Sequence, residues 1–134
     1  MIKLIVGEKG SGKTKTIIDM MNGSVEKTEG HIVCIEKGMK STYNIKSNVR
    51  IIDIDDYNIR GYDQMFGFFM GVLAGDYDIE EVYIDGILKI GSGDLDGLGT
   101  FLGKVVDVAP ENVKVVVTVS CAEAALTDSV KKYL

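Results

Sequence analysis

The chain has 134 residues, of which 46% are hydrophobic and 26% charged, with 16 glycines and one proline. This composition excludes a disordered or fibrous chain, and the length predicts a single domain over residues 1–134. The formal net charge of -5 disfavours nucleic acid and anionic membranes as partners, because there is no surplus of basic side chains to neutralise phosphates.

Runs of apolar and β-branched residues predict five β-strands. Residues 2–6 form a short run that ends in glycine and is typical of a strand buried on both faces. The other runs are residues 31–36, 49–54, 81–85 and 113–120. The last of these is the richest in valine, and we therefore expect it at the centre of the sheet.

Apolar residues at spacings of three and four predict helices between these strands. The first helix begins at Lys13 and closes near Gly23, and Asp63 and Asp94 are expected to cap two later helices. Residues 38–48 show little periodicity and are predicted to form the most mobile loop. Alternating strands and helices favour an α/β fold, with a mainly parallel five-stranded sheet and helices on both faces.

The cysteines and the apolar segments bear on where the protein resides. Cys34 and Cys121 lack the spacing of a zinc site and are expected to be free, buried thiols. The longest apolar stretch, residues 65–75, is shorter than the roughly 20 residues that a membrane span needs. The first strand starts at the N-terminus without a basic and apolar leader. We therefore expect a cytoplasmic protein.

The most informative stretch is the glycine-rich loop after the first predicted strand. Residues 7–14 read GEKGSGKT and fit the pattern GxxxxGK[ST], between a strand and a helix. The glycines let successive N–H groups face inward at the positive end of the helix. Lys13, also a candidate catalytic residue, would bridge the outer phosphates of a nucleotide, and Thr14 would bind Mg²⁺. The nucleotide-binding residues predicted from the pattern are Gly7, Glu8, Lys9, Gly10, Ser11, Gly12, Lys13, Thr14 and Lys15.

Through this loop and the alternating layout, the chain resembles the P-loop NTPases, in particular their RecA-like branch. The resemblance implies a three-layer P-loop fold, with ATP and Mg²⁺ as ligands. It also implies an aspartate at the end of an apolar strand as a second contact of the magnesium ion. Asp85, in VYIDG, fits this position best, and Asp53 and Asp55 at the end of the third strand are alternatives.

The residue after this aspartate bears on hydrolysis. Many hydrolytic relatives carry a glutamate there, which orients the attacking water, whereas this chain has Gly86. Water activation would then fall to Glu36 at the end of the second strand, to a partner protein, or to no group at all. Ser120, or Thr118 before it, would contact the outermost phosphate if the fifth strand lies between the first and the fourth. Arg60 is the arginine placed to act as a charge-stabilising finger.

Two narrower resemblances follow from longer stretches. The phosphate loop, the HIVCIEK strand and the later IDG are similar to the nucleotide half of bacterial-type thymidine kinases. Those enzymes carry an acidic residue after the aspartate and a four-cysteine zinc lobe, which this chain lacks. The entire chain resembles short bacterial P-loop proteins sometimes labelled twitching-motility or pilus-retraction ATPases, which implies ATP binding. No guanine-reading NKxD follows the fifth strand, so GTP is disfavoured.

Three functions fit these observations. The first is a weak Mg²⁺-dependent ATPase whose nucleotide state controls a contact with another protein or with a second copy. The second is a small-molecule, nucleoside-like kinase in which Asp53, Asp55 or Asp56 accepts a proton. The third is a non-catalytic nucleotide sensor. The helix that carries Gly67 and Gly71 is the expected contact surface, because another backbone could approach these glycines.

Overall fold

The computed structural model describes residues 1–38 and 45–134. It has an α/β fold with a five-stranded sheet in which every pairing is parallel. The strands are Ile2–Gly7 (β1), His31–Glu36 (β2), Val49–Asp53 (β3), Ile79–Asp85 (β4) and Lys114–Ser120 (β5). Their order in the sheet is β1-β5-β4-β2-β3. The loop predicted over residues 38–48 lies mostly outside the described residues.

Helices follow β1, β3, β4 and β5 in the chain. They are Lys13–Val25 (α1), Gly61–Gly75 (α2), Ile87–Ile90 (α3), Leu95–Val108 (α4) and Asp128–Lys131 (α5), with short 3₁₀ turns at Ile54–Tyr57 and Glu123–Ala125. The predicted cap of α4 is confirmed, since the Asp94 side chain accepts a hydrogen bond from Gly97 N at 2.9 Å. The predicted cap at Asp63 is wrong. The helix α2 starts earlier, and Asp63 lies within its first turn, where a negative charge faces the positive end of the helix.

Two groups of buried side chains hold the fold together, one on each face of the sheet. Successive strand residues point to opposite faces, so Cys34 and Tyr83 belong to one group, whereas Ile35 and Ile84 belong to the other. Ile17 and Met21 of α1 pack into the first group. The helices α2, α4 and α5 supply the second group with Met65, Phe69, Leu98, Phe101, Leu102, Val105 and Val130. Helices therefore cover both faces.

The strand β1 differs from the prediction that it is buried on both faces. It lies at the edge of the sheet with β5 as its neighbour, and Leu4 is its one buried residue. The valine-rich β5 is an inner strand, as its pattern predicted, but β4 is the central one. Both strands are covered by helices on two faces, which explains their nearly continuous apolar sequences.

The parallel arrangement brings the ends of several strands together. Carboxyl ends of parallel strands meet at one edge of a sheet, and polar groups from separate parts of the chain become neighbours there. Gly7 of β1 is in register with Ser120 of β5, and Glu36 of β2 is in register with Asp85 of β4. This edge is where the glycine-rich loop begins. Among the described residues, no helix has the length and apolar character to cross a membrane.

Candidate functional site

The glycine-rich loop has a tight conformation that depends on its glycines. Gly10 and Gly12 have φ angles of 87° and 90°, in the left-handed region that other residues rarely adopt. A Cβ atom added to Gly7 would lie 2.5 Å from Ser11 Oγ. The loop is closed by a hydrogen bond from Ser11 N to Glu8 O at 3.1 Å. The loop therefore curls back on itself directly after β1.

Lys13 lies at the start of α1 and turns into this curl. It is 8% exposed, and its ammonium group donates to Glu8 O at 3.0 Å and to Ser11 Oγ at 3.5 Å. The N-cap residue, Gly12, has no side chain that could accept from the first amides of the helix. A buried cation and an uncapped helix N-terminus therefore lie together, which is the arrangement that favours a bound anion.

Asp85 joins this loop to the centre of the sheet. Thr14 Oγ1 donates to Asp85 Oδ2 at 3.2 Å, although the two residues are 71 positions apart in the chain. Thr118 Oγ1 donates to Asp85 Oδ1 at 2.6 Å and accepts from Gly86 N at 2.7 Å. Hydrogen bonds from two different elements therefore fix both oxygens of the Asp85 carboxylate, beside the Thr14 hydroxyl.

These groups surround an open cavity of about 470 Å³. Its lining consists of Lys9, Gly10, Gly12, Lys13, Thr14, Asp85, Gly86, Lys89 and Ser120. The structure thus brings together most of the residues predicted from the sequence. Of the other predicted loop residues, Glu8 and Ser11 accept hydrogen bonds from Lys13, and Gly7 leaves room for the Ser11 side chain. Lys15 instead forms an ion pair with Asp19 at 3.0 Å.

Lys89 belongs to this lining and was not singled out from the sequence. It lies in α3, the short helix that follows β4 and Gly86. No motif marks a lysine at this position. Its position depends on the turn at Gly86, because Asp85 ends a strand and α3 begins only at Ile87, so no helical spacing relates the two residues.

Glu36 lies next to Asp85 but does not line the cavity. It is 4% exposed and stands at the end of β2, between Asp53 of β3 and Asp85 of β4 in the sheet register. Burial raises the pKa of the nearby Cys34 thiol, and the negative charges of Glu36 and Asp85 raise it further. The structure therefore places Glu36 close to the site, in a buried and negatively charged environment.

Asp53 and Asp55, the alternatives to Asp85 as magnesium contacts, are engaged in local structure. Asp53 Oδ1 accepts from Asp55 N at 2.9 Å and from Gly38 N at 3.1 Å, and so caps the short turn after β3. Asp55 forms an ion pair with Lys37 at 2.6 Å. Neither aspartate lines the cavity at the glycine-rich loop. Asp85 is therefore the carboxylate that faces Thr14.

The end of β5 supplies two further polar groups. Ser120 is exposed and lines the cavity, whereas Thr118 is buried behind it and contacts Asp85. The order of the strands, with β5 between β1 and β4, is the condition under which these residues were expected at the site. Partial burial raises the pKa of the Cys121 thiol, and the positive charge of Lys13 opposes this shift.

Arg60, the expected charge-stabilising finger, lies elsewhere. It precedes α2 and lines a separate cavity of about 490 Å³ between α2 and α4, together with Lys104. None of the residues of that cavity lines the one at the glycine-rich loop. The structure therefore does not bring Arg60 together with Lys13 and Asp85.

Comparisons with known proteins add no family assignment. A scan against models of protein families finds no match, and a search among curated proteins finds no significant match.

Proposed function

We propose that this protein binds ATP with Mg²⁺ at the glycine-rich loop and is a weak cytoplasmic ATPase whose nucleotide state controls a contact with a protein. A three-layer P-loop fold is part of this proposal. The observation that carries it is the hydrogen bond of 3.2 Å between Thr14 and Asp85. A hydroxyl from the glycine-rich motif and a carboxylate from the end of β4 meet beside a buried lysine, as a nucleotide with its metal ion requires.

The residues present fit a triphosphate. The left-handed glycines curl the loop, the first amides of α1 have no side-chain cap, and Lys13 adds a charge to them. The cavity of about 470 Å³ is within the range of small-molecule sites. Glu8 O now accepts from the Lys13 ammonium, and this contact with a neutral acceptor would be exchanged for a hydrogen bond with a negatively charged phosphate oxygen.

The oxygen ligands near Lys13 fit a magnesium ion, because Mg²⁺ prefers hydroxyl, carboxylate and water oxygens. Thr14 and Asp85 would hold it, and Thr118 keeps the Asp85 carboxylate in a fixed orientation. When bound, Mg²⁺ would neutralise charge on the phosphates. Serine at position 120 lines the same cavity and would donate a hydrogen bond to the outermost phosphate.

The predicted turnover is slow because the cavity contains no suitable base. Asp85 is its single carboxylate among the described residues, and both Asp85 oxygens accept hydrogen bonds from threonines. Gly86 offers no side chain, and Glu36 is buried and does not belong to the lining. Glu36 could act as a base only through a water or after a movement, so we expect hydrolysis to be limited by proton transfer.

A small-molecule kinase is less well supported. The carboxylates considered as its base are Asp53, Asp55 and Asp56, and the first two are occupied as a cap and an ion pair. They also lie outside the lining of the cavity. A nucleotide sensor without chemistry would use the same binding residues, so the experiment below separates it by the fate of ATP.

The first experiment measures binding and then the fate of labelled ATP. Titration calorimetry in millimolar Mg²⁺ should show ATP binding by the wild-type protein, and Lys13→Ala should weaken it at least about tenfold because a charged hydrogen bond is lost. Lys15→Ala is the matched control, since Lys15 is an exposed neighbour paired with Asp19, and it should change the affinity less than about twofold.

Incubation with γ-labelled ATP then distinguishes the reactions. Slow release of inorganic phosphate supports the ATPase, transfer of label to an added metabolite supports the kinase, and intact ATP supports the sensor. Absence of any ATP binding, or equal binding by the wild-type protein and Lys13→Ala, would refute the proposed site altogether.

The controlled contact is proposed for the outer face of α2. Met65 and Phe69 are buried in the core, whereas Gly67 and Gly71 have open space where a side chain would stand. These glycines belong to an open, largely apolar groove that also contains Ile52, Tyr57, Phe68 and Val72. Light scattering with ATP and with ADP should show a nucleotide-dependent change in mass, either of the protein alone or with an added partner.

A further inference from the structure

The turn after β4 brings a second lysine to the proposed phosphate site. Gly86 has a φ angle of 77°, in the left-handed region, and this conformation turns the chain directly from β4 into α3. Lys89 N donates to Gly86 O at 3.0 Å, so Lys89 follows one tight turn later. Its side chain then passes back over the glycine.

The Lys89 side chain occupies the space beside Gly86. A Cβ atom added to Gly86 would lie 3.5 Å from Lys89 Cδ and 3.8 Å from Lys89 Cε. The aliphatic part of the lysine therefore lies where a side chain at position 86 would stand. Lys89 also belongs to the lining of the cavity, together with Lys13, Thr14 and Asp85.

The charge around the cavity favours an anion with more than one negative charge. Lys9, Lys13 and Lys89 line it, against the single carboxylate of Asp85. Lys89 is exposed, and within the described part of the chain its ammonium group has no ion pair or side-chain hydrogen bond. In contrast, Lys15, Lys37, Lys46 and Lys104 all have carboxylate partners. Lys89 is therefore available to a ligand without breaking a contact.

The position of Lys89 indicates which phosphate group of the nucleotide it would contact. Thr14 and Asp85, which are joined by a hydrogen bond, would hold the metal ion, and that ion would lie beside the outer phosphates of the nucleotide. Lys89 extends from the turn that directly follows Asp85. We infer that Lys89 contacts the outermost phosphate of a bound nucleoside triphosphate, so that the site distinguishes ATP from ADP; this inference rests on the proposed function.

Such a contact is specific to the triphosphate. ADP lacks the phosphate that Lys89 reaches, whereas Lys13 and the loop amides contact both nucleotides. Removing Lys89 should therefore weaken ATP binding selectively, while removing Lys13 should weaken both. The Arg60 side chain cannot take this role in the same chain, because it lines the cavity between α2 and α4.

The test is the affinity ratio of Mg-ATP and Mg-ADP, measured by calorimetry for the full chain. For Lys89→Gln we expect about a tenfold loss of ATP affinity, the usual effect of one charged hydrogen bond, and less than a twofold change for ADP. Lys89→Arg keeps the charge and should keep most of the preference for ATP. Lys27→Gln, an equal charge change in the exposed segment after α1, should leave both affinities within about twofold of the wild type.

The outcomes separate this inference from the proposed function. Equal losses for ATP and ADP in Lys89→Gln, or no loss for either, would overturn the role of Lys89 while nucleotide binding itself stands. A loss in Lys89→Arg as large as in Lys89→Gln would also overturn it, since the positive charge is retained. If the wild-type protein binds neither nucleotide, the proposed function fails, and the inference fails with it. Thermal unfolding without nucleotide should show that every variant is folded.

Discussion

Thr118 is a polar residue at a buried position of the sheet, and its hydroxyl has a structural role there. It is fully buried in β5, where neighbouring positions carry valine, and its hydroxyl contacts two groups. It donates to the Asp85 carboxylate and accepts from the Gly86 amide. A valine would fit the same space and leave both of these polar groups without this partner. The hydroxyl therefore contributes to stability and to the orientation of Asp85.

Thr118→Val is expected to lower the free energy of unfolding by about 1–3 kcal/mol, because it removes the partner of a buried amide and of a carboxylate. Urea denaturation without nucleotide measures this change. Thr100→Val is the matched control, because its hydroxyl is exposed on α4 and donates weakly to Asp96 O at 3.4 Å. The control should stay within about 0.5 kcal/mol. An equal effect of the two substitutions would contradict the role assigned to Thr118.

At the scale of elements, an exposed ion pair ties β2 to the turn between α2 and β4. His31 Nδ1 lies 2.6 Å from Asp76 Oδ2, and Asp76 Oδ1 accepts from Asp78 N at 2.9 Å. The hydrogen bond to Asp76 is the main cause that raises the His31 pKa, and the negative charge of Asp76 is the next. The same contact lowers the pKa of Asp76. Protonated His31 and ionised Asp76 thus stabilise each other in the folded state.

The pKa shifts of His31 and Asp76 determine how the stability of the folded protein depends on pH. The contribution of His31 is fully present below its ordinary pKa of about 6.5 and is lost as the pH rises through the raised value. The contribution of Asp76 is present above its ordinary pKa of about 3.9 and is lost as the pH falls through the lowered value. The pair therefore stabilises the protein most in the mildly acidic range between these limits.

His31 is the single histidine of the chain, so its ring resonances can be followed by NMR without assignment. We expect its titration midpoint to lie above the ordinary pKa of histidine in the wild-type protein and to decrease in Asp76→Asn. Asp78→Asn should cause a smaller decrease, because Asp78 acts on His31 through its charge alone. A midpoint that Asp76→Asn does not lower would show that the ion pair is absent in solution.

The sequence predicted those parts of the fold and the site that depend on local patterns. Lys13 and Thr14 follow from the spacing of a motif, Asp85 from an aspartate at the end of an apolar strand, and the Asp94 cap from its place before an apolar helix pattern. The role of β1 as an edge strand was missed, because its short apolar run does not reveal how many neighbours it has.

Other features depend on contacts between distant parts of the chain. Asp63 was a reasonable cap by residue type, but the start of α2 is instead set by Arg60, whose N–H donates to Gln64 Oε1 at 2.8 Å. Lys89 enters the cavity because Gly86 adopts a left-handed turn, and a glycine in the sequence does not specify its φ angle. The separation of Arg60 from Lys13 depends on how α2 and α4 pack.

At the scale of the whole molecule, the two cysteines differ in how much of the structure must open before the thiol can react. Cys34 is 1% exposed in β2, and burial raises the pKa of its thiol, so it cannot react while the sheet is intact. Cys121 is partly exposed after β5. Reaction at Cys34 therefore requires opening of the central sheet, whereas reaction at Cys121 requires a local movement at most.

In a Cys121→Ser variant, modification of Cys34 by a disulfide reagent should follow global unfolding. ATP at about 100 times its dissociation constant should slow this reaction about 100-fold, because binding stabilises the folded state by mass action. The same reaction with Lys13→Ala added should slow at most about tenfold at that concentration, because this substitution weakens ATP binding at least about tenfold. Rapid modification of Cys34 in native buffer would show that the sheet opens without unfolding.

The pairing of β1 with β5 has a consequence for synthesis of the chain on the ribosome. The Met1 amino group donates to Val113 O, a contact between residues 112 positions apart, and β5 is the only strand beside β1 in the described sheet. The glycine-rich loop leaves the ribosome long before β5, yet the strand that anchors it has no neighbour in the described sheet until β5 has been made. A nascent chain halted before β5 should therefore be unable to retain a nucleotide. Nucleotide binding by a nascent chain would then indicate that β5 has been synthesised.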